Sequence, residues 1–270
     1  LKGKTLGLIF EKSSTRTRVS FEAGMYQLGG QAMFLSHRDL QLGRGEPIQD
    51  TARVLSRYLD GIMLRTFGHD KLVEFAQWAA VPVINGLTDL LHPCQALTDL
   101  LTIREYCGQN LRGLKLAYIG DGNNMAHSLM YACAKMGIDF TVATPEGYDP
   151  DPQIVQNARA DAHRLGTFIS LTHDAAEAVK DADILYTDTW ISMGKEEEAD
   201  KRRHDFAGYQ VNRALLQLAA KRAIVMHCLP AHRGEEITAD VFEENADIIF
   251  EQAENRLHTQ KAILALTMGD

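Results

Sequence analysis

The sequence runs to 270 residues, 45% hydrophobic and 24% charged, with a formal net charge of -8. That length suits about two domains, each with a core of its own, and the acidic balance argues against a broad nucleic-acid or anionic-membrane surface while leaving room for a small anion bound by a few clustered arginines. Cys94, Cys107, Cys133 and Cys228 stand far apart without a C-x-x-C pair, no apolar run has the length of a membrane span, and no basic, apolar and small-residue sequence marks a signal peptide; disulfide scaffolds, zinc ribbons and membrane spans are therefore disfavoured, and a reducing cytoplasm is the expected compartment.

In chain order, Leu6–Phe10 reads as a strand that follows Leu1 almost at once, as in a fragment or processed form. A helix is predicted from Thr15, a strand at Ala32–Leu35, a helix over Ile48–Tyr58, a strand at Gly61–Leu64, a helix over Lys71–Ala80 and a strand at Val81–Ile84. After a long helix from Pro93 to Tyr106 the alternation restarts with strands at Leu114–Ile119, Thr141–Ala143, Phe168–Leu171, Ile184–Tyr186 and Ile224–Met226. Two such series predict two α/β domains, each a doubly wound parallel sheet, divided near Gly108–Gly113. The amphipathic stretch Ala253–Leu266 either closes the second domain or crosses back to the first. The charged run Lys195–Asp205 reads as a solvated helix or loop.

The most informative stretch is Phe10-Glu-Lys-Ser-Ser-Thr-Arg-Thr-Arg18, which places hydroxyls and guanidinium groups at a predicted helix start. Unpaired N–H groups and the positive end of the macrodipole favour an anion there, and basic residues in a first turn oppose the dipole unless an anion offsets them. The segment therefore has the chemistry of a phosphate cradle, although not that of a P-loop, since the glycines are missing. Further along, His92-Pro93-Cys94-Gln95 leaves an imidazole just outside a helix, with an amide three residues on. His227-Cys228-Leu229-Pro230 ends a strand; Cys228 there is either a partly exposed thiolate or a buried apolar residue, and a zinc site of His227, Cys228 and His232 fits no standard ligand spacing. Gly120-Asp-Gly-Asn-Asn124 follows a strand but lacks the third glycine of a dinucleotide fingerprint, so its use is better read as bringing asparagine side chains to a polar ligand. Asp188-Thr-Trp-Ile-Ser192-Met193-Gly194 has an acid, a hydroxyl and a glycine hinge, the makings of a lid able to hold an ammonium group.

Ser-Thr-Arg-Thr-Arg, His-Pro-x-Gln and His-Cys-Leu-Pro, in this order and at these separations, resemble the carbamoyltransferases, and Asp-x-x-x-Ser-Met-Gly narrows the likeness to the branch that acts on ornithine. The likeness spans essentially the whole chain and includes Asp50-Thr-Ala-Arg-Val-Leu and Ala253-Glu-Asn-Arg256, but not the helical segment that the family carries ahead of its first strand. It implies a carbamoyl phosphate-binding domain over 1–108 with 252–270 packing back on it, and an ornithine-binding domain over 109–251. It also implies transfer of a carbamoyl group from carbamoyl phosphate to the side-chain amine of L-ornithine, giving L-citrulline and phosphate, with closing domains that exclude water. Putrescine, aspartate or acetylornithine are the alternative acceptors, and a nucleotide-binding enzyme built on the Gly120–Asn124 turn is the rival from another class.

By the same resemblance Ser14, Thr15, Arg16 and Thr17 hold the phosphate. Arg65 spans phosphate and carbonyl oxygen, His92 donates to the carbonyl, Gln95 accepts from the carbamoyl amide, and Arg256 adds a contact. Gln41 reaches a neighbouring subunit's site. Asp188 and Ser192 take the α-amino group of ornithine, Asn124 and the backbone at Met193 its carboxylate, and Cys228 with Leu229 lies beside the reacting amine and also contacts carbamoyl phosphate. No cofactor or metal is implied, and the expected assembly is a homotrimer or a multiple of one.

Overall fold

The structure, a computed structural model, describes residues 1–192, 194 and 196–269. The chain forms two compact units, Leu1–Thr98 with Glu254–Asp270, and Asp99–Ala253. In the first unit the elements are β1 (Thr5–Phe10), α1 (Thr15–Gln27), β2 (Gln31–Ser36), α2 (Ile48–Leu55), β3 (Gly61–Arg65), α3 (His69–Trp78) and β4 (Val83–Leu87), with a 3-10 turn at Gln41–Arg44. The next helix, α4 (Pro93–Cys107), begins in this unit and ends in the other.

The second unit continues with β5 (Lys115–Ile119), α5 (Asn124–Met136), β6 (Asp139–Ala143), α6 (Pro152–Leu165), β7 (Ile169–Thr172), α7 (Ala175–Val179) and β8 (Ile184–Thr187). It then adds α8 (Ala199–Asp205), α9 (Arg213–Leu216), β9 (Ile224–His227) and α10 (Ala239–Glu244). Helix α11 (Ala246–Met268) starts in the second unit and supplies its last turns to the first.

Both sheets are parallel, in the orders β2-β1-β3-β4 and β7-β6-β5-β8-β9. Strand β1 shows why the first must be covered on both faces. Its side chains alternate, Leu6, Leu8 and Phe10 packing with Phe21, Met25, Leu264 and Met268, and Ile9 packing with Ala52, Leu59, Leu72 and Phe75. Leu264 and Met268 thus settle which way the C-terminal helix goes: its end closes the core of the first unit.

The predicted strands all appear, with ends shifted by no more than three residues. Helix α11 differs most, starting at Ala246 rather than near Ala253, because Asp247 and Glu251 in its first turns blur the apolar period. The division into units falls inside α4, between Thr98 and Asp99, where no Gly or Pro marks it.

In each sheet the chain reverses its direction of winding between two neighbouring strands, β1 with β3 and β5 with β8. Ligands of open α/β sheets bind outside the carboxyl ends of such strand pairs. Phe10 and Arg65 lie side by side at one of these ends, Ile119 and Thr187 at the other. The segments singled out from sequence begin immediately after them.

Candidate active site

The candidate residues of the first unit form a convergence of cations. Ser14 adopts an extended N-cap conformation, and its Oγ accepts from Thr17 N at 3.3 Å, which starts α1 with Arg16 in its first turn and no acidic residue there. Thr15 is exposed, Ser14 and Arg16 are half-buried, and Thr17 is buried. Arg65, the last residue of β3, is 4% exposed, and its Nε has no hydrogen-bond partner. No ion pair of the described residues engages Arg16 or Arg65. Burial first, then the charges of Arg256 and Arg16, push the Arg65 guanidinium down to about 10. Leaving a buried guanidinium so poorly compensated is unfavourable until an anion arrives.

His92 and Gln95 flank the start of α4, whose first residue is Pro93, and both are buried. Burial pushes the His92 imidazole well below its usual range, and Arg256, Arg65 and Arg16 push the same way, so the ring is neutral at pH 7. Arg256 Nη1 donates to Gln95 Oε1 at 2.7 Å and Nη2 to Thr17 Oγ1 at 3.1 Å. One buried guanidinium therefore joins α11, α4 and α1. The unit brings Arg16, Thr17, Arg65, His92, Gln95 and Arg256 into this network. Gln41 lies exposed on the 3-10 turn, with no hydrogen bond among the described residues joining it to them. Arg18 is used elsewhere, pairing with Glu22 at 2.9 Å and lying over the Phe34 ring.

The candidate residues of the second unit carry the opposite sign. Asp188, just past β8, is 8% exposed. Its Oδ1 accepts from Thr189 N at 2.8 Å and from Cys228 Sγ at 3.1 Å, and its Oδ2 accepts from Asn123 Nδ2 at 3.0 Å. Asn123 is fixed in turn as the N-cap of α5, its Oδ1 accepting from Met125 N and Ala126 N and from the Tyr118 hydroxyl. The approach to it is tight: a Cβ on Gly122 would lie 2.3 Å from Pro150 N, so only glycine fits. Asn124, predicted as a ligand, is the first residue of α5, and its carbonyl accepts from Ser128 Oγ. Ser192 is half-buried, and Met193 lies outside the described residues.

Cys228 follows β9, half-buried, with its Sγ 3.1 Å from Asp188 Oδ1. Leu229, next in the chain, has φ 59 and donates its N–H to His227 Nδ1 at 2.8 Å. That bond leaves the proton on Nε2, which faces Glu236 Oε1 at 3.0 Å with both side chains fully buried. With both ring nitrogens engaged, His227 is not disposed to join Cys228 and His232 around a metal. His227 N donates to Gln252 Oε1, and Gln252 Nε2 donates to buried Asp99 at 2.7 Å. The left-handed, β-disfavoured conformation of Leu229 is thus held from two sides.

Sequence reasoning missed two residues here. Asn123 meets Asp188; the signal was its place one residue before a predicted helix, where Asn caps. Arg202 sits in the run read as solvated, yet it is 3% exposed and donates to Asp121 Oδ2 and to the Trp190 carbonyl, both at 2.9 Å. It ties the Asp188–Ser192 segment to the turn after β5.

Comparison with known proteins also finds two domains, with boundaries that differ from those of the compact units and with most of α11 counted in the second. Residues 1–105 match the family model described as the aspartate/ornithine carbamoyltransferase carbamoyl-P binding domain, and residues 112–267 the one described as the Asp/Orn binding domain. Among curated proteins, ornithine carbamoyltransferase of Oceanobacillus iheyensis is 58% identical over 270 residues, 100% of this chain and 84% of the relative. That of Anoxybacillus flavithermus is 61% identical over 264 residues, 98% of this chain and 84% of the relative. Among solved structures, ornithine carbamoyltransferase from Pyrococcus furiosus superposes with a TM-score of 0.96 at 56% identity, covering 100% of this chain and 86% of that one.

Proposed function

The chain belongs to the aspartate/ornithine carbamoyltransferase family, and from that premise we propose that it transfers the carbamoyl group of carbamoyl phosphate to the side-chain amine of L-ornithine, giving L-citrulline and phosphate. The observation that carries the reading is the placement of Arg16 and Arg65, without carboxylate partners among the described residues, beside a neutral buried imidazole in one unit, while an acceptor-holding carboxylate is fixed in the other.

The donor half binds a dianion. Ser14, Thr15, Arg16 and Thr17 hold the phosphate at the start of α1, with Arg65 and Arg256 supplying charge. Arg65 and the neutral His92 donate to the carbonyl oxygen as negative charge develops there, and Gln95 accepts from the carbamoyl NH₂. One such donor contributes about 3 kcal/mol to transition-state stabilisation. A neutral imidazole suits this role, since it donates without needing to be protonated first.

The acceptor half must deliver an amine with a free lone pair, although a primary ammonium has a pKa of about 10.4. Asp188 and Ser192 take the α-amino group, and Asn124 and the Met193 backbone take the carboxylate. The α-ammonium of ornithine pairs with Asp188 in place of Cys228 Sγ; Cys228 then acts as the thiolate, its own proton having passed to solvent, and takes the proton leaving the reacting nitrogen. Leu229 lies beside it on the same turn.

The carbamoyl phosphate domain corresponds to 1–108 with 252–270 and the ornithine domain to 109–251. Homotrimer assembly is supported by edge strand β2, where Met33 is 51% and Phe34 38% exposed and which a second copy would cover; Gln41 would then serve a neighbour's site. A cytoplasmic location is supported by the free cysteines. The test is product formation from carbamoyl phosphate with L-ornithine, run beside putrescine, aspartate and acetylornithine. Citrulline alone supports the reading; a product with another amine, and none with ornithine, overturns the acceptor assignment.

A further inference from the structure

One carboxylate sits where an anion site ought to exclude it. Glu11 is the first residue after β1, close in sequence to Ser14 and Arg16, and its side chain is only 7% exposed. A buried acid at the mouth of a phosphate cradle would repel the ligand unless its charge were already committed. Every oxygen of Glu11 is committed. Oε2 accepts from the Thr66 hydroxyl in a short bond and from Phe67 N at 3.3 Å, and Oε1 lies 3.3 Å from Lys71 Nζ and 3.5 Å from His37 Nδ1.

These partners belong to the exits of two strands and to a helix. His37 follows β2, Thr66 and Phe67 follow Arg65 at the end of β3, and Lys71 is on α3. The backbone repeats the pattern: Glu11 N donates to the Arg65 carbonyl at 2.8 Å, and His37 N donates to the Phe10 carbonyl at 3.1 Å. Thr66, itself 1% exposed, is anchored through its N–H to the Leu87 carbonyl at the end of β4. The loop from Lys12 to Ser14 and the segment from Arg65 to Phe67 are therefore joined by one carboxylate. Lys12 reinforces the link from its own side, lying over the Phe67 ring and pairing with Asp89.

We propose that Glu11 is a positioning residue for carbamoyl phosphate: by bonding Thr66 and Phe67 it fixes the chain after Arg65 against the loop that leads into Ser14–Thr17, so that the two halves of the phosphate cradle keep one spacing. The Thr66 and Phe67 hydrogen bonds and the Lys71 charge also hold its carboxyl below the usual range despite its burial, which keeps it ionised and bonded at neutral pH. Because every site partner it controls is on the donor side, its loss acts on one substrate and not on the other.

The inference rests on the assignment of carbamoyl phosphate to this cradle, and the experiment separates the two. Steady-state kinetics with carbamoyl phosphate and L-ornithine varied in turn are measured for the full chain and for Glu11→Gln, Glu11→Ala, Thr66→Val and Arg16→Ala, with thermal unfolding of each. The expected result is a rise of about tenfold in KM for carbamoyl phosphate in Glu11→Ala, a smaller rise in Glu11→Gln, and a KM for ornithine within about twofold of the parent, since a misplaced bidentate contact to a charged group loses on the order of 1.4 kcal/mol. Thr66→Val produces the same selective rise, and adding it to Glu11→Ala produces no further one, because both remove the same bond. A purely structural role would lower the unfolding temperature and leave the carbamoyl phosphate KM unchanged in the folded variants, which overturns the proposal. Should Glu11→Ala fail to fold, Glu11→Gln and Thr66→Val, which keep the volume of the parent side chains, decide the matter by the same criterion. If Arg16→Ala also leaves carbamoyl phosphate binding unchanged, it is the cradle assignment that falls.

Discussion

At the scale of single residues, the site is built from groups held away from their preferred state in water. His92 is the clearest case. Burial and three neighbouring guanidinium groups depress its pKa well below the usual 6.5, so the folded protein resists a proton that the unfolded chain accepts at pH values of about 6.5 and below. The contribution of His92 to stability is therefore fully present above about pH 6.5 and is lost as pH falls from there toward the folded-state pKa. His92→Gln removes this dependence: its stability profile, measured by denaturant titration between pH 8 and 5, should decline less steeply than the parent's. A parallel decline would mean that His92 takes up protons equally in both states. Arg16 is half-buried and has no carboxylate partner among the described residues, so Arg16→Ala should weaken carbamoyl phosphate binding by roughly tenfold or more, the order expected for a hydrogen bond between charged groups, with little change in unfolding temperature. Calorimetric titration with a phosphonate mimic of carbamoyl phosphate reads the outcome directly.

At the scale of elements, the turns after β5 and β8 act as one piece because Arg202 of α8 holds both. Its guanidinium and Asp121 are nearly inaccessible, 3% and 7% exposed, so removing one partner strands a buried charge. Loss of a partner from a buried pair costs about 3 to 5 kcal/mol, and here the Trp190 carbonyl loses its donor as well. Arg202→Gln should lower the unfolding midpoint and raise the KM for ornithine far more than that for carbamoyl phosphate; an unchanged ornithine KM in folded protein would detach α8 from acceptor binding. This element also shows where reading the sequence stops. The strands were legible because fully buried parallel strands are short apolar runs, and the cradle was legible because arginines at a helix start contradict the dipole. The Lys195–Asp205 run carries no such contradiction. Its composition is that of a solvated helix, and which of its cations turns inward depends on Asp121 and the Trp190 carbonyl, placed there by strands far away in sequence. Leu229 was unreadable for the same reason, since nothing in His-Cys-Leu-Pro announces a leucine at φ 59 held by His227 and, behind it, Glu236 and Gln252.

At the scale of the whole molecule, a protein with a net charge of -8 binds an anion in one unit and a cationic group in the other. Each unit has its own core, one built on β1 and β3, the other on Ala117, Ile119, Leu185 and Val225 with Val241 and Phe242 of α10. A ligand that binds only the folded form stabilises by RT ln(1 + [L]/Kd), about 2.7 kcal/mol at a hundredfold excess over Kd. The contacts to the phosphate of carbamoyl phosphate are all assigned to the first unit, so the stabilisation conferred by a phosphonate mimic should be lost in Arg16→Ala and kept in Arg202→Gln, although the second variant starts from lower stability. Ornithine, or an unreactive analogue with the same α-amino and carboxylate groups, should show the reverse order. Thermal shift of both variants at matched ligand excess gives the comparison. If instead both variants lose the response to both ligands equally, the two binding sets are not separable by unit, and the division of chemistry between a cationic donor half and an anionic acceptor half fails as an account of this protein.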